Sequence, residues 1–295
     1  MGADILACMG SPSEASSTAS QASLVAAEHT AALFGRDRAV IGMVHIGALP
    51  GTPGSIQSVA ALASSACAEA QALVDAGVDA IMLENMHDVP YLMRNVGPEI
   101  VAAMTHIASA VRAVVPVPLG LQILAGANHA AIAVAHAAGL TFVRAEGFVF
   151  ASVADEGLLE QADAGPLLRY RRSIGATSIR ILADIKKKHS SHAITADLTI
   201  TENASAAEFF GADGIIMTGP ATGQPTALGD IDAARRGCRL PILVGSGATA
   251  ATVGSLLSKA NAVVVGSDLK SKGDWRNPVD RDRARAFVAA AAAAR

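Results

Sequence analysis

The chain has 295 residues, 51% of them hydrophobic and only 17% charged, which is enough for one large domain with an extensive core. Its formal net charge of −3 and aromatic content of 3% argue against the basic surfaces and stacking platforms of nucleic-acid-binding proteins. No apolar run of about 18 residues is free of charges and turn signals, so no membrane span is predicted. The cysteines Cys8, Cys67 and Cys238 are scattered, which indicates a reducing compartment and predicts a cytoplasmic location.

The first 37 residues differ in composition from the rest of the chain. They are rich in Ser and Ala, which predicts a mobile N-terminal extension before a main domain over 38–295. Residues 22–34 have the composition of a short helix lying against the outside of that domain. No Lys or Arg precedes Arg36, which argues against a signal or transit peptide.

From residue 39 onward, short apolar runs alternate with segments of helical spacing. The predicted strands cover 39–45, 80–85, 118–124, 141–146, 179–186, 214–219, 241–247 and 262–267. The predicted helices cover 55–76, 98–113, 128–138, 164–174, 202–211, 229–236, 249–258 and 279–294. Strand–helix alternation is typical of a parallel sheet, and eight units predict an α/β fold of the (β/α)8 TIM-barrel class. An open doubly wound sheet is the alternative, and the count of eight favours closure.

Polar side chains recur near the C-terminal ends of the predicted strands. They are His45, Glu84, Asn85, Gln122, Arg144, Glu146, Asp184, Lys186, Thr218, Ser246 and Ser267. In a closed barrel these ends converge on one mouth, where the active sites of this fold lie. We therefore expect one shared site. The residues expected to contact substrate are His45, Asn85, Gln122, Arg144, Thr218 and the loop residue His189.

Glycine- and serine-rich turns follow predicted strands seven and eight. Strand seven ends in Gly245, Ser246 and Gly247, and strand eight ends in Gly266 and Ser267. Glycine lets the backbone approach an anion closely, and the loops after strands seven and eight are the common phosphate site of this barrel. The pattern predicts a phosphate or another oxyanion on the ligand, although the same glycines are also typical of ordinary tight turns.

Four titratable residues are candidates for proton transfer. They are Glu84, Glu146, Asp184 and Lys186. Asp184 and Lys186 are two residues apart on predicted strand five, so both should face the mouth, where the lysine would stabilise an oxyanion or form a Schiff base. The same alternation turns Lys187 outward.

Three further polar stretches follow predicted strands. They are Lys188, His189 and His192 after strand five, 218–223 after strand six, and Lys270, Lys272, Trp275 and Arg276 after strand eight. The first two either fold over the ligand or are ordinary exposed loops, and the third is expected to be a solvated loop.

No cofactor is predicted. A divalent metal held by His45, Glu84, Asp184 and His189 is a minor alternative, because the chain has no local ligand motif such as His-Glu-x-x-His.

Five long motifs in this order resemble the BtpA family, also called BtpA/SgcQ. They are VIGMVHIGALPGTPG, GVDAIMLEN, AEGFVF, ADIKKKHSSHAITADL and ADGIIMTGPATG, and the resemblance covers 39–267. It implies a barrel of the ribulose-phosphate-binding type, which agrees with the predicted phosphate site. Separately, the Asp-x-Lys pattern at Asp184 resembles the core motif of orotidine-phosphate decarboxylase relatives. Those proteins are expected to have a further Asp downstream and to carry the motif on a different strand, which argues against that assignment.

The family resemblance leaves several functions open. The family is named for a factor needed for photosystem I accumulation in cyanobacteria, whereas other members resemble parts of sugar-uptake operons, which implies a phosphorylated carbohydrate. We therefore expect an enzyme, a lyase, isomerase or transferase, that acts on a sugar phosphate or nucleotide. A non-catalytic assembly factor and a phosphometabolite sensor are the alternatives. The Ala-rich outer helices also permit a homo-oligomer.

Overall fold

The structure, a computed structural model, describes residues 12–219 and 226–295, with side chains described from residue 21 onward. Strands β1–β11 and helices α1–α9 are numbered here in chain order. Eight parallel strands close into a barrel: β1 Ala39–His45, β2 Ala80–Glu84, β3 Leu119–Gln122, β4 Phe142–Ala145, β7 Arg180–Ile185, β9 Gly214–Met217, β10 Ile242–Val244 and β11 Ala262–Val265. Neighbouring strands follow chain order, and β11 pairs with β1. The predicted (β/α)8 barrel is confirmed, and the open sheet is excluded.

A small antiparallel sheet, the lid sheet, is formed by β5 Ser152–Ala154, β6 Gly157–Leu159 and β8 Ser190–Ser191. It joins the loop after β4 to the loop after β7, two segments predicted only as loops. Gly157 has a φ of 119°, a backbone conformation that favours glycine, at the turn between β5 and β6. The lid sheet therefore holds two mouth loops together.

The helices are α1 Pro12–Phe34, α2 Val59–Ala76, α3 Pro98–Val114, α4 Asn128–Ala137, α5 Ala164–Ser173, α6 Ile200–Phe209, α7 Leu228–Gly237, α8 Val253–Leu257 and α9 Arg281–Ala292. Helix α8 is shorter than the predicted 249–258. The Thr252 hydroxyl accepts the N–H of Thr249, and Asp268 accepts the N–H of Ala250, so side chains replace the first helical turn. Among the helices described, none has the length and apolar content needed to cross a membrane.

Alternation along the strands separates two apolar layers. Outward-facing residues such as Ile181, Ala183 and Ile185 pack under the helices. Inward-facing residues fill the barrel: Met43, Met82, Phe142, Leu182, Ile216, Leu243 and Val264. The next inward positions toward the strand ends are polar on β1, β2, β4 and β7 and are glycines after β10 and β11, which places charged groups on a close-packed apolar floor.

Helix α1 begins at Pro12, ten residues before the predicted start, and ends on the barrel interior. Phe34 is buried, and its ring makes an edge contact with Phe142 at a centroid distance of 5.4 Å. The division into an extension over 1–37 and a domain over 38–295 stays a prediction, as does the mobility of the extension. Residues 1–11, including Cys8, lie outside the described residues.

Candidate functional site

A cavity of about 460 Å³ opens at the C-terminal ends of the barrel strands. Most of the predicted site residues line it: His45, Glu84, Gln122, Arg144, Glu146, His189, Gly245, Ser246, Gly247, Gly266 and Ser267. Four others lie outside its lining in the described part of the chain: Asn85, Asp184, Lys186 and Thr218. Their positions have separate physical causes.

Asp184 lies beneath Arg144. The Arg144 Nε and Nη2 atoms donate to the two carboxylate oxygens of Asp184, both at 3.0 Å, and both side chains are buried. Burial raises the pKa of Asp184, and the Arg144 guanidinium opposes that rise. This two-point contact fixes the plane of the guanidinium, so Asp184 positions Arg144 at the cavity.

The predicted placement of Lys186 at the mouth beside Asp184 is wrong. Strand β7 ends at Ile185, and Lys186 has a φ of 44°, in the left-handed region that ends the alternation of side chains. Its Nζ donates to the carbonyl of Leu198, and the residue borders a separate void of about 30 Å³ together with Asp184.

The prediction that Lys187 points outward is wrong for the same reason. The left-handed residue before it turns Lys187 into the mouth, where its Nζ lies 2.9 Å from Glu146 Oε1. Glu146 Oε1 also accepts from Gln122 Nε2 at 2.7 Å. The buried atoms Gln122 Oε1 and Glu146 Oε2 have no hydrogen-bond partner in the described structure. Each of these two oxygens can therefore accept a further hydrogen bond at the cavity.

Lys188 also lines the cavity. Its backbone N–H donates to Thr218 Oγ1 at 2.8 Å, so Thr218 anchors the loop after β7. Burial lowers the pKa of Lys188, and the nearby Arg144 lowers it further. Strand alternation gave no signal for this residue, because the backbone has already left the strand.

Asn85 connects two loops of the barrel. Its side-chain oxygen accepts the backbone N–H of Leu124 at 2.7 Å, and its Nδ2 donates to Asp88 Oδ2 at 2.9 Å. Asn85 is buried, so its hydrogen bonds are used within the protein.

His45 and Glu84 are neighbours at the cavity. His45 Nδ1 lies 3.0 Å from the carbonyl oxygen of Trp275, which only accepts, so Nδ1 carries the proton and donates. The bare Nε2 lies 3.8 Å from Glu84 Oε2. Burial, with the positive charge of Lys270, lowers the pKa of His45 to about 3, and burial raises the pKa of Glu84. His45 is therefore neutral, with Nε2 as a hydrogen-bond acceptor beside a carboxyl group whose pKa is raised.

The prediction of a solvated loop after the eighth barrel strand is wrong for Lys270 and Trp275. Lys270 is fully buried, and its ammonium pairs with Glu69 on α2. Trp275 lines the cavity, and its ring centroid lies 5.0 Å from that of His87. Sequence reasoning did not assign Trp275 to the site. The feature that could have identified it is that Trp275 is the single Trp of the chain and follows the eighth barrel strand.

The two glycine-rich turns border the same cavity. A Cβ on Gly245 would lie 2.5 Å from Ile216 Cγ2, and one on Gly266 would lie 3.1 Å from the ring of His45, so both turns need the small residue. Gly247 has a φ of 74°. The buried Ser246 Oγ has no hydrogen-bond partner in the described structure. Of the predicted loop over 218–223, residues 220–223 lie outside the described residues.

The four residues considered for a metal are not brought together. His45 and Glu84 are neighbours, whereas Asp184 is held by Arg144 and His189 Nδ1 lies 3.8 Å from Asp155 Oδ2. Over 12–219 and 226–295, no group of three or more His, Cys, Asp or Glu side chains is arranged to hold a metal ion.

A solved structure supports the assignment of the fold. Thiamine phosphate pyrophosphorylase from Pyrococcus furiosus aligns with a TM-score of 0.54 and 11% identity, covering 88% of this chain and 96% of that chain. At this identity the likeness concerns the fold alone, which is the predicted (β/α)8 barrel.

Two relatives are similar over most of their lengths. An uncharacterised mitochondrial protein of Caenorhabditis elegans is 43% identical over 84% of this chain and 91% of its own length. The photosystem I biogenesis protein BtpA of Synechocystis is 37% identical over 86% of this chain and 88% of its own length. The model of the BtpA family matches residues 36–293. The chain therefore belongs to the BtpA family.

Proposed function

We propose that the protein is an enzyme that acts on a small phosphorylated metabolite, a sugar phosphate or a nucleotide, by acid–base chemistry in the mouth cavity. The observation that carries this proposal is the buried Ser246 hydroxyl, which has no hydrogen-bond partner among the described residues and lies between Gly245 and Gly247 in the cavity that also contains His45 and Glu84. A phosphate oxygen would accept from this hydroxyl and from neighbouring backbone N–H groups.

The charged side chains at the cavity would have different roles in the reaction. His45 Nε2 would accept a proton from the ligand, and the Glu84 carboxyl would deliver one. Arg144, held in place by Asp184, would stabilise negative charge that develops on a ligand oxygen. These roles fit a lyase, an isomerase or a transferase.

The test is thermal unfolding with a panel of sugar phosphates and nucleotides, each compared with its non-phosphorylated form. Ligand at about 100 times its Kd stabilises the native state by about 2.7 kcal/mol, so we expect Tm to rise by roughly 5–10 °C. Ser246→Ala should reduce this shift because a phosphate contact is lost. The control is Ser255→Ala, an exposed serine on α8.

The proposal fails if no phosphorylated compound raises Tm at millimolar concentration, or if phosphorylated and non-phosphorylated forms act equally. A shift that is unchanged in Ser246→Ala would place the phosphate elsewhere and contradict the assignment of this turn.

A second candidate, a non-catalytic assembly factor, is favoured by the Synechocystis relative, whose name assigns it to photosystem I biogenesis. Exposed apolar side chains on the mouth loops are consistent with a partner surface: Val89, Leu92, Val153, Leu158 and Ile194. Rescue of a deletion strain by a folded His45→Gln/Glu84→Gln variant would support this candidate, and loss of rescue would support the enzyme. A sensor would bind the same ligands without turnover. A cytoplasmic location and a homo-oligomer also stay proposals.

A further inference from the structure

The three consecutive lysines after β7 have different partners. Lys186 Nζ donates to the Leu198 carbonyl, and Lys187 Nζ pairs with Glu146 at 2.9 Å. Lys188 lines the cavity, and its Nζ has no hydrogen bond or ion pair with any residue in the described part of the chain. Its ammonium or amine group is therefore available to a ligand.

The backbone, rather than a partner for the side chain, holds Lys188 in this position. Lys186 and His189 on either side have φ values of 44° and 59°, in the region that non-glycine residues rarely adopt. Such a conformation is unfavourable for a residue with a side chain, so surrounding contacts must maintain the turn. The bond from the Lys188 N–H to Thr218 Oγ1 at 2.8 Å is one of them.

The surroundings of Lys188 favour the neutral amine, which is the nucleophilic form. Burial lowers its pKa, as do the charges of Arg144 and Lys187, whereas Glu84 and Asp184 oppose the shift. Lys187, the other lysine that lines the cavity, is paired with Glu146, and Arg144 has a guanidinium rather than an amine, so neither replaces Lys188 as a free amine.

We propose that Lys188 is a catalytic nucleophile that forms an imine with a carbonyl group of the ligand, which makes the substrate a phosphorylated aldehyde or ketone. This inference rests on the proposed function and names its substrate class. The phosphate would lie at Ser246 and the carbonyl carbon at Lys188 Nζ, two groups that line one cavity.

The reaction balances with the groups present. The Lys188 amine attacks the carbonyl carbon, the N–C bond forms, and His45 Nε2 passes one proton from the nitrogen to the oxygen. Glu84 then donates a proton, the C–O bond breaks, and water leaves a protonated imine. That imine accepts the electron pair when a bond at the adjacent carbon breaks, as in carbon–carbon cleavage or proton abstraction. Attack by water returns the amine.

The test uses pyridoxal 5′-phosphate as a phosphorylated aldehyde and borohydride to reduce the imine, followed by peptide mass spectrometry of the full chain. We expect the label on Lys188, at a higher yield than with pyridoxal, which lacks the phosphate. Lys188→Arg should lose this label because it removes the amine while keeping a long basic side chain. Lys186→Arg, the matched neighbour outside the cavity, should retain it.

Label spread evenly over surface lysines, or label that persists in the cavity of Lys188→Arg, would overturn the inference. A Tm rise with phosphorylated aldehydes in wild type and Lys188→Arg alike, without any trapped imine, would also overturn it and leave the proposed function standing. If no phosphorylated compound binds, the proposed function fails and the inference fails with it. An unchanged Tm of unliganded Lys188→Arg shows that the variant is folded.

Discussion

At the scale of single residues, the site depends on burying ionisable groups next to partners that fix their charge. His45 is the clearest case, because the Trp275 carbonyl fixes its tautomer and the surrounding protein keeps it neutral. The resulting base faces Glu84 over 3.8 Å. A neutral buried histidine also makes stability depend on pH.

We predict that lowering the pH destabilises the wild type more than a His45→Gln variant. The folded pKa of about 3 lies below the unfolded value of 6.5, so below pH 6.5 the unfolded chain binds a proton that the native state does not. The slope from this group approaches roughly 1.4 kcal/mol per pH unit well below pH 6.5, so stability falls by about 1.6 kcal/mol between pH 6.5 and 5. Urea denaturation at both pH values measures the difference.

The control for His45 is His106→Gln, an exposed histidine on α3. Its pH dependence should match that of the wild type. If His45→Gln retains the wild-type slope between pH 6.5 and 5, His45 is not buried in its neutral form and the acid–base assignment fails.

At the scale of elements, α1 and the lid sheet act at opposite ends of the barrel. Helix α1 brings Phe34 onto Phe142 and so contributes to the apolar floor. The lid sheet brings Asp155 and Glu156, in the turn between β5 and β6, to the cavity. The first contact stabilises the barrel interior, and the second places acidic groups at the cavity.

We predict that Phe34→Ala destabilises the protein by about 3–5 kcal/mol, because truncating a buried aromatic ring loses transfer free energy and leaves a cavity. Leu24→Ala on the same helix is the control, since Leu24 is 62% exposed and should change stability by less than about 0.5 kcal/mol. The free energy of unfolding in urea measures both. Equal effects of the two substitutions would show that α1 does not stabilise the barrel through Phe34.

At the scale of the whole molecule, stability should be unevenly distributed. The barrel strands are buried along nearly their whole length, whereas the lid sheet has strands of three, three and two residues that are largely half-buried or exposed. Short strands with few buried contacts open locally at lower free energy than the core.

Native-state hydrogen exchange should therefore separate the two regions. We predict that amides of β5, β6 and β8 exchange through local opening, while those of β2 and β9 need global unfolding. A bound phosphorylated ligand should slow the lid-sheet amides, because Asp155, Glu156 and His189 border the cavity. Equal protection of the lid-sheet and barrel amides from exchange, without ligand, would contradict the predicted difference in local stability.

Strand periodicity was sufficient to predict the barrel and much of its mouth. Inward positions two residues apart were assigned correctly wherever the backbone stays extended, as at Leu182 and Asp184. The prediction failed two residues later, at Lys186. This lysine has a left-handed φ, and non-glycine residues adopt that conformation too rarely for it to be predicted from the sequence. Lys187 and Lys188 entered the site through that change of direction.

The sequence by itself determined the order of strands and helices, the apolar floor and the glycine turns after β10 and β11, because these follow from local periodicity and local backbone preference. Only the tertiary structure decided which charged groups meet. The bond between His45 and Trp275 joins residues 230 positions apart, and the Arg144–Asp184 pair spans 40. Contacts at such separations arise from the closure of the barrel, which brings eight strand ends to one mouth. The local sequence determines the order of the strands but not which side chains meet there.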